Sequence, residues 1–90
     1  MEKPNPTRQP DVTLYSLMTC SHCKDAKKYL RDQGVDFRLI QMDLLVGEER
    51  NATMRALRKL NPECSFPTIQ VGDTVIVGFK PDQLRQALAL

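Results

Sequence analysis

The sequence predicts an α/β protein in which helices cover both faces of a four-stranded mixed sheet. Its segments follow the order β-α-β-α-β-β-α, and no repeat or low-complexity segment interrupts that order after residue 11. The 90 residues suffice for one small domain with a single modest core. Strands and amphipathic helices bury their apolar faces against one another, so this order favours helices layered on a sheet.

The first half of the chain predicts a βαβ unit with a parallel pair of strands. Val12 to Leu17 is short, rich in apolar residues and bounded by Asp11, as is typical of a strand. A turn and a helix over residues 24–33 follow, and Gly34 occupies the position of a C-cap glycine. Val35 to Met42 then predicts the second strand, which the crossover helix makes parallel to the first.

The second half predicts two further helices. Gly47 to Leu60 opens with glutamates and closes with basic residues, the order that the helix dipole favours. Asn61-Pro62 ends this helix, because proline cannot continue it. Pro81 fits the first position of the last helix, and apolar residues recur behind it.

Between these helices the sequence predicts a hairpin. Pro67 to Val71 and Thr74 to Val77 are rich in β-branched residues. Gly72-Asp73 separates them by two residues, which is the length of the commonest hairpin turns.

Composition excludes several classes of protein. The net charge is only +2, with 41% hydrophobic and 27% charged residues, so nothing favours binding to nucleic acid or to an acidic membrane surface. No apolar run approaches the roughly 18 residues of a spanning helix. Residues 1–11 contain three prolines and no apolar signal-peptide core. We expect them to form a flexible tail, residues 12–90 to form the domain, and the protein to be a cytoplasmic monomer.

Two cysteines mark the candidate active site. Cys20 and Cys23 stand in a C-x-x-C pair between the first strand and the first helix, where a disulfide can close with little backbone movement. Unpaired backbone N–H groups and the positive helix end favour a thiolate at Cys20. We therefore expect Cys20 to attack a disulfide and Cys23 to resolve the mixed disulfide. The alternative, that the two cysteines are half of a zinc site, is disfavoured. Such a site needs four ligands, and the chain offers no second close pair of cysteines.

Further residues are candidates for tuning this pair. Protonated His22 would stabilise the Cys20 thiolate; the alternative is a solvent-facing residue without a role. Lys24 lies in the first turn, close enough to act on the thiolate. Cys64 is either a partly buried apolar residue, which we favour, or a regulatory thiol open to glutathionylation.

Three stretches carry a resemblance to a known family. They are Tyr15-Ser-Leu-Met-Thr-Cys-Ser-His-Cys, Ser65-Phe-Pro-Thr-Ile and Gly78-Phe-Lys-Pro-Asp-Gln-Leu. At these separations and in this element order, the chain resembles the glutaredoxins of the thioredoxin fold from about Val12 to its C-terminus. C-x-x-C alone would be only moderately specific, because zinc sites share it. We expect Tyr15 itself to pack in the core.

The resemblance implies a substrate-binding loop opposite the cysteines. It implies that Pro67 is a cis-proline facing them and that Phe66 offers its backbone N–H and C=O to a peptide-like thiol, with Ser65 beside it. It also implies that Asp82 orients a glutathione γ-glutamyl group; the alternative is an acidic residue favoured in a helix's first turn. From its position before the last helix, Phe79 is either an apolar wall for the substrate or a core residue.

Two departures from the family leave the reductant open. Many glutaredoxins carry Lys or Arg three residues before the first cysteine, where it helps bind the glycyl carboxylate of glutathione, and Leu17 stands there instead. The family's Gly-Gly pair before the last helix is Gly78-Phe79, followed by Lys-Pro-Asp as in NrdH-type redoxins. Those redoxins are typically reduced by thioredoxin reductase. Thioredoxin reductase or another low-molecular-weight thiol is therefore the alternative to glutathione as the reductant.

The expected function is therefore a dithiol oxidoreductase without a tightly bound cofactor or metal. It would reduce protein or glutathione mixed disulfides, with electrons from NADPH through glutathione or thioredoxin reductase. The alternative from another class is a module in which Cys20 and exogenous thiols hold a [2Fe–2S] cluster between two chains. Cys23 argues against this alternative, because it can form a competing disulfide with Cys20.

Overall fold

A computed structural model of the protein describes residues 10–89. The regular elements alternate as predicted: β1 (Val12–Ser16), α1 (Ser21–Asp32), β2 (Arg38–Gln41), α2 (Gly47–Leu60), β3 (Thr68–Val71), β4 (Thr74–Val77) and α3 (Pro81–Leu88), with a short 3₁₀ helix (Met42–Leu44) between β2 and α2. The predicted N-terminal tail lies outside the described residues except for Pro10 and Asp11. In residues 10–89 no helix is long and apolar enough to span a membrane.

The four strands form one mixed sheet in the order β2-β1-β3-β4. β1 is parallel to β2 and antiparallel to β3, and β3 is antiparallel to β4. Val71 pairs with Thr74 across the turn, which confirms the two-residue hairpin. The carboxyl end of β1 therefore lies at the centre of the sheet, and the segment that follows it leads directly to the two cysteines.

Helices pack on both faces of this sheet, as the sequence predicts. Leu14 joins the cluster that α1 and α3 cover, together with Leu30 and Leu84, all of them fully buried. Tyr15 points to the opposite face, because side chains alternate along a strand, and packs with Leu57 of α2. The expectation that Tyr15 is a core residue is confirmed.

Two predicted boundaries are wrong. The helix α1 begins at Ser21 and not at Lys24, because Cys20 in an extended conformation already serves as its N-cap. The strand β2 begins at Arg38 and not at Val35, because the amide of Val35 donates to the carbonyl of Leu30 (2.9 Å) and so completes the end of α1. In addition, β1 and β2 each end one residue before the predicted end, and β3 begins one residue after the predicted start.

Candidate active site

The first cysteine lies where β1 passes into α1. The amide of Cys20 donates to the carbonyl of Leu17 (3.3 Å), which turns the chain, and its own carbonyl accepts the amide of Lys24 (3.1 Å) as the first bond of the helix. Its Sγ accepts the amide of Cys23 at 3.3 Å. The sulfur thus replaces the side-chain oxygen of an ordinary N-cap and faces the positive end of the helix. Cys20 is half-buried, so a substrate can reach it.

The second cysteine is enclosed. Cys23 is fully buried on the inner face of α1, and both thiols are free. Burial raises the pKa of Cys23 above its ordinary value of 9.0, and the contact with Cys20 raises it further. The backbone of Leu17 and the hydroxyl of Ser16 act in the opposite direction and lower this pKa. Cys23 is therefore a protonated thiol near neutral pH, with two groups beside it that favour its ionised form.

The loop between α2 and β3 carries the predicted substrate-binding residues. The Phe66–Pro67 peptide bond is cis, which confirms this part of the expectation for Pro67. That Pro67 faces the cysteines stays a prediction. The carbonyl of Pro67 accepts the amide of Gly78 at 2.8 Å, so the end of β4 is fastened to this loop. Within residues 10–89, the backbone N–H and C=O of Phe66 have no hydrogen-bonding partner. They are thus available for the peptide-like contact that the family resemblance implies.

Asn61 holds this loop in shape. Its side-chain amide donates to the hydroxyls of Ser65 (3.0 Å) and Thr68 (3.1 Å), and its carbonyl oxygen accepts the amide of Glu63 (3.1 Å). Thr68 in turn donates to the carbonyl of Ser65 at 2.7 Å. Sequence reasoning assigned to Asn61 only the end of a helix and to Ser65 a place in substrate binding. The structure shows the hydroxyl of Ser65 occupied by an internal hydrogen bond.

A second contact that sequence reasoning missed fixes the segment before the cysteines. The amide of Met18 donates to the carboxylate of Asp43 (Oδ2) at 3.0 Å. Asp43 lies in the short 3₁₀ helix after β2, an element that no sequence pattern predicted. The Cys20 turn is therefore anchored to the chain on the α2 side of the sheet.

The other predicted site residues are placed as follows. His22 and Lys24 are exposed on α1, and neither side chain forms a hydrogen bond or ion pair within the described part of the chain. Phe79 packs edge-to-face on Tyr29 of α1, with ring centroids 6.0 Å apart, so one side of its ring belongs to the core. Asp82 is exposed in the first turn of α3. The tuning and glutathione-binding roles of these four residues stay predictions.

Cys64 lies outside the dithiol. It is half-buried and packs against the cluster of Tyr15, Met42 and Leu57, as the favoured interpretation expected. Its backbone adopts a φ of 53°, a conformation uncommon for a residue other than glycine. Within residues 10–89, no group of three or more histidine, cysteine or acidic side chains could hold a metal ion.

A mixed four-stranded sheet with three helices, and a C-x-x-C pair opening the first helix, define a redox protein of the thioredoxin fold. The chain belongs to the glutaredoxin family, whose family model, Glutaredoxin, matches residues 12–76. Human mitochondrial Glutaredoxin-2 is 37% identical over 67 residues, which are 74% of this chain and 40% of that protein. The chain thus spans less than half the length of that relative.

Solved structures support both the family and its NrdH-like branch. Methanoredoxin of Methanosarcina acetivorans has a TM-score of 0.87 at 40% identity, covering 92% of this chain and 88% of that one. NrdH-redoxin of Escherichia coli, whose structure is described as the basis for a thioredoxin-like activity profile, has a TM-score of 0.70 at 26% identity and covers 84% and 92%. The protein is therefore a glutaredoxin-family redox protein with NrdH-like features.

Proposed function

We propose that the protein is a dithiol oxidoreductase that reduces disulfides through Cys20 and Cys23. One observation carries the proposal. A half-buried sulfur caps the positive end of α1, and a second, fully buried thiol lies one helical turn behind it. An accessible thiolate and an enclosed partner are what sequential thiol–disulfide exchange requires.

The reaction follows in two exchanges. The Cys20 thiolate attacks one sulfur of the substrate disulfide, forms a mixed disulfide and releases the other substrate sulfur, which takes up a proton from solvent. Cys23 then loses its proton and attacks the Sγ of Cys20, which forms the Cys20–Cys23 disulfide and releases the second substrate thiol. Two electrons pass to the substrate, and the protein leaves oxidised.

The contact between the cysteines favours this order. In the reduced protein, the neighbouring Cys20 sulfur raises the pKa of Cys23 and keeps its proton in place. In a mixed disulfide Cys20 carries no negative charge, so we expect its electrostatic contribution to the pKa of Cys23 to be lost. Cys23 thus becomes a better nucleophile at the step that needs it.

The substrate is a disulfide on a peptide or protein, or a glutathione mixed disulfide. The free backbone groups of Phe66 next to Pro67 offer a short strand-like pairing to an extended peptide. Many family members carry a cation at the position of Leu17. Here Leu17 packs into the cluster of Tyr15, Met42 and Leu57 on the α2 side of the sheet. This substitution, together with the similarity to NrdH proteins, favours thioredoxin reductase as electron donor over glutathione.

A coupled assay tests the proposal. NADPH oxidation is followed with a disulfide substrate in two systems, one with thioredoxin reductase and one with glutathione and glutathione reductase. We expect turnover with thioredoxin reductase, abolished by Cys20→Ser, and a trapped mixed disulfide with Cys23→Ser. Turnover with glutathione alone would assign the protein to the other reductant. Absence of turnover in both systems, with no Cys20–Cys23 disulfide after oxidation, would refute the dithiol function.

A further inference from the structure

Gln41 carries an enclosed polar atom that the two exchanges described above do not use. It is the last residue of β2. Within residues 10–89, its side-chain oxygen Oε1 is closed off from solvent and has no hydrogen-bonding partner. Most enclosed oxygens in proteins are bonded, because leaving one without a partner costs stability. The groups that lie beside this oxygen therefore show what it can do.

The register of the sheet places Gln41 beside Ser16. The two residues are paired in the parallel ladder of β1 and β2, and the side chains of paired residues lie on the same face of a sheet. Leu39 packs into the cluster that α1 and α3 cover, and Ile40 packs into the opposite cluster. Because side chains alternate along a strand, Gln41 is directed to the α1 side. Leu14, two residues before Ser16, packs on that side as well.

The hydroxyl of Ser16 has a choice of partners. Ser16 is fully buried, and its hydroxyl donates to the carbonyl of Leu17 at 3.3 Å. This distance exceeds the about 2.5–3.0 Å of a strong O–H···O bond. The same hydroxyl faces Cys23 and lowers its pKa, as a donor to the thiolate does. Since a hydroxyl has a single hydrogen and two acceptor positions, whatever donates to its oxygen helps to decide where the hydrogen points.

We propose that Gln41 is a positioning residue for the second exchange, because its carboxamide bonds the Ser16 hydroxyl and directs it to the Cys23 thiolate. This role rests on the proposed dithiol function and adds a residue to its second step. Rotation of the carboxamide by half a turn about its last bond brings the NH₂ group to the place of Oε1. The NH₂ group then donates to the Oγ of Ser16, and the hydroxyl hydrogen is left for the sulfur of Cys23.

The same three groups also suit the protonated state of Cys23. Its S–H then donates to the Oγ of Ser16, and the hydroxyl donates to Oε1 of Gln41. In the second exchange Cys23 releases its proton to water and attacks the Sγ of Cys20, and the substrate thiolate leaves. Ser16 and Gln41 neither gain nor lose a proton. Cys23 also contacts the sulfur of Cys20 and the backbone of Leu17, and a substitution of Gln41 leaves both groups in place.

Gln41→Met tests the proposal, because methionine has a similar length and no N–H donor. Reduced protein in the Cys64→Ala background is mixed with an equimolar amount of an aromatic disulfide that releases a coloured thiol at each exchange. We expect the first release, by Cys20, to keep its rate. The second release should slow by about threefold to tenfold, as expected for the loss of one neutral hydrogen bond, and its pH profile should move to higher pH. Gln70→Met, the same change on a strand residue that pairs with Thr13, is the control and should alter neither release.

A double variant separates an action through Ser16 from a general disturbance. In Ser16→Ala, which lacks the hydroxyl, the further change Gln41→Met should bring no additional slowing of the second release. An unchanged second release in Gln41→Met would overturn the role of Gln41 and leave the dithiol function intact. Equal slowing with and without the Ser16 hydroxyl would do the same. Wild-type protein that never makes the second release would overturn both this role and the dithiol function.

Discussion

The side-chain amide of Asn61 donates to the hydroxyl of Thr68 across 3.1 Å, and both residues are almost completely buried. This bond joins the C-cap of α2 to the first residue of β3. The hydroxyl of Thr68 in turn donates to the carbonyl of Ser65. Hydrogen bonds therefore join the two ends of the loop that carries Phe66 and Pro67. The candidate substrate loop is therefore positioned by polar contacts that do not include the cysteines.

We expect Asn61→Ala to destabilise the protein by about 2–4 kcal/mol, because it leaves several enclosed polar groups without a partner. Urea denaturation measures the change. Asn51→Ala, the same substitution on the exposed face of α2, is the control and should stay within about 0.5 kcal/mol of wild type. Equal effects of the two substitutions would show that the Asn61 contacts do not matter for stability.

The elements that sequence reasoning predicted correctly are those set by local patterns. Gly72-Asp73 between two β-branched runs gave the hairpin, and the acidic start and basic end of α2 gave its bounds. The C-x-x-C pair and the residues around Pro67 identified the site, because their types and separations match the family. Such signals depend on neighbours in sequence and need no tertiary information.

The features that sequence reasoning missed depend on contacts between distant residues. The bond from Met18 to Asp43 spans 25 positions, and nothing near either residue indicates it. The start of α1 was misplaced because cysteine is not among the usual N-cap residues. The role of Ser16 is not visible in the sequence, because nothing about a serine at the end of a strand indicates that it faces Cys23.

Removal of the Ser16 hydroxyl should slow the second exchange. This hydroxyl lowers the pKa of Cys23, so Ser16→Ala raises it and reduces the fraction of thiolate that attacks the mixed disulfide. We expect the pH profile of mixed-disulfide resolution to move to higher pH, as measured by stopped-flow release of a thiol reporter. Ser21→Ala alters an exposed serine between the cysteines and is the control. A profile that moves equally in both variants would assign the shift to general disturbance of the turn.

The reduced protein should lose stability at high pH through Cys23. Burial raises its pKa above 9.0, the value of the unfolded thiol, so the unfolded chain releases this proton first. The stabilising contribution is complete below that pH and is lost as pH rises through the folded pKa, with a slope of at most about 1.4 kcal/mol per pH unit. Urea denaturation under reducing conditions between about pH 8 and about pH 10 measures this slope. Cys23→Ala should flatten it and Cys64→Ala should not; equal slopes in all three proteins would contradict the assignment.

His22→Ala should lower the reduction potential of the Cys20–Cys23 pair. A positive charge at position 22 would stabilise the reduced form, so its removal should make the disulfide less oxidising. Because His22 is exposed, we expect a shift of only roughly 5–20 mV. Equilibration against a reference redox couple measures it, and Lys27→Ala on the same helix is the control. An unchanged or higher potential in the His22 variant would rule out this role.

Val46 leaves the N-terminus of α2 without a side-chain cap. Serine at this position would complete the pattern Ser-x-x-Glu with Glu49, in which each side chain bonds the other's backbone N–H. We expect Val46→Ser to raise the free energy of unfolding by about 1 kcal/mol, as measured by urea denaturation. Val46→Ala is the matched control, because it shortens the same exposed side chain without adding a cap, and it should bring no such gain. Equal free energies of unfolding in the two variants would show that a side-chain cap contributes nothing at this helix end.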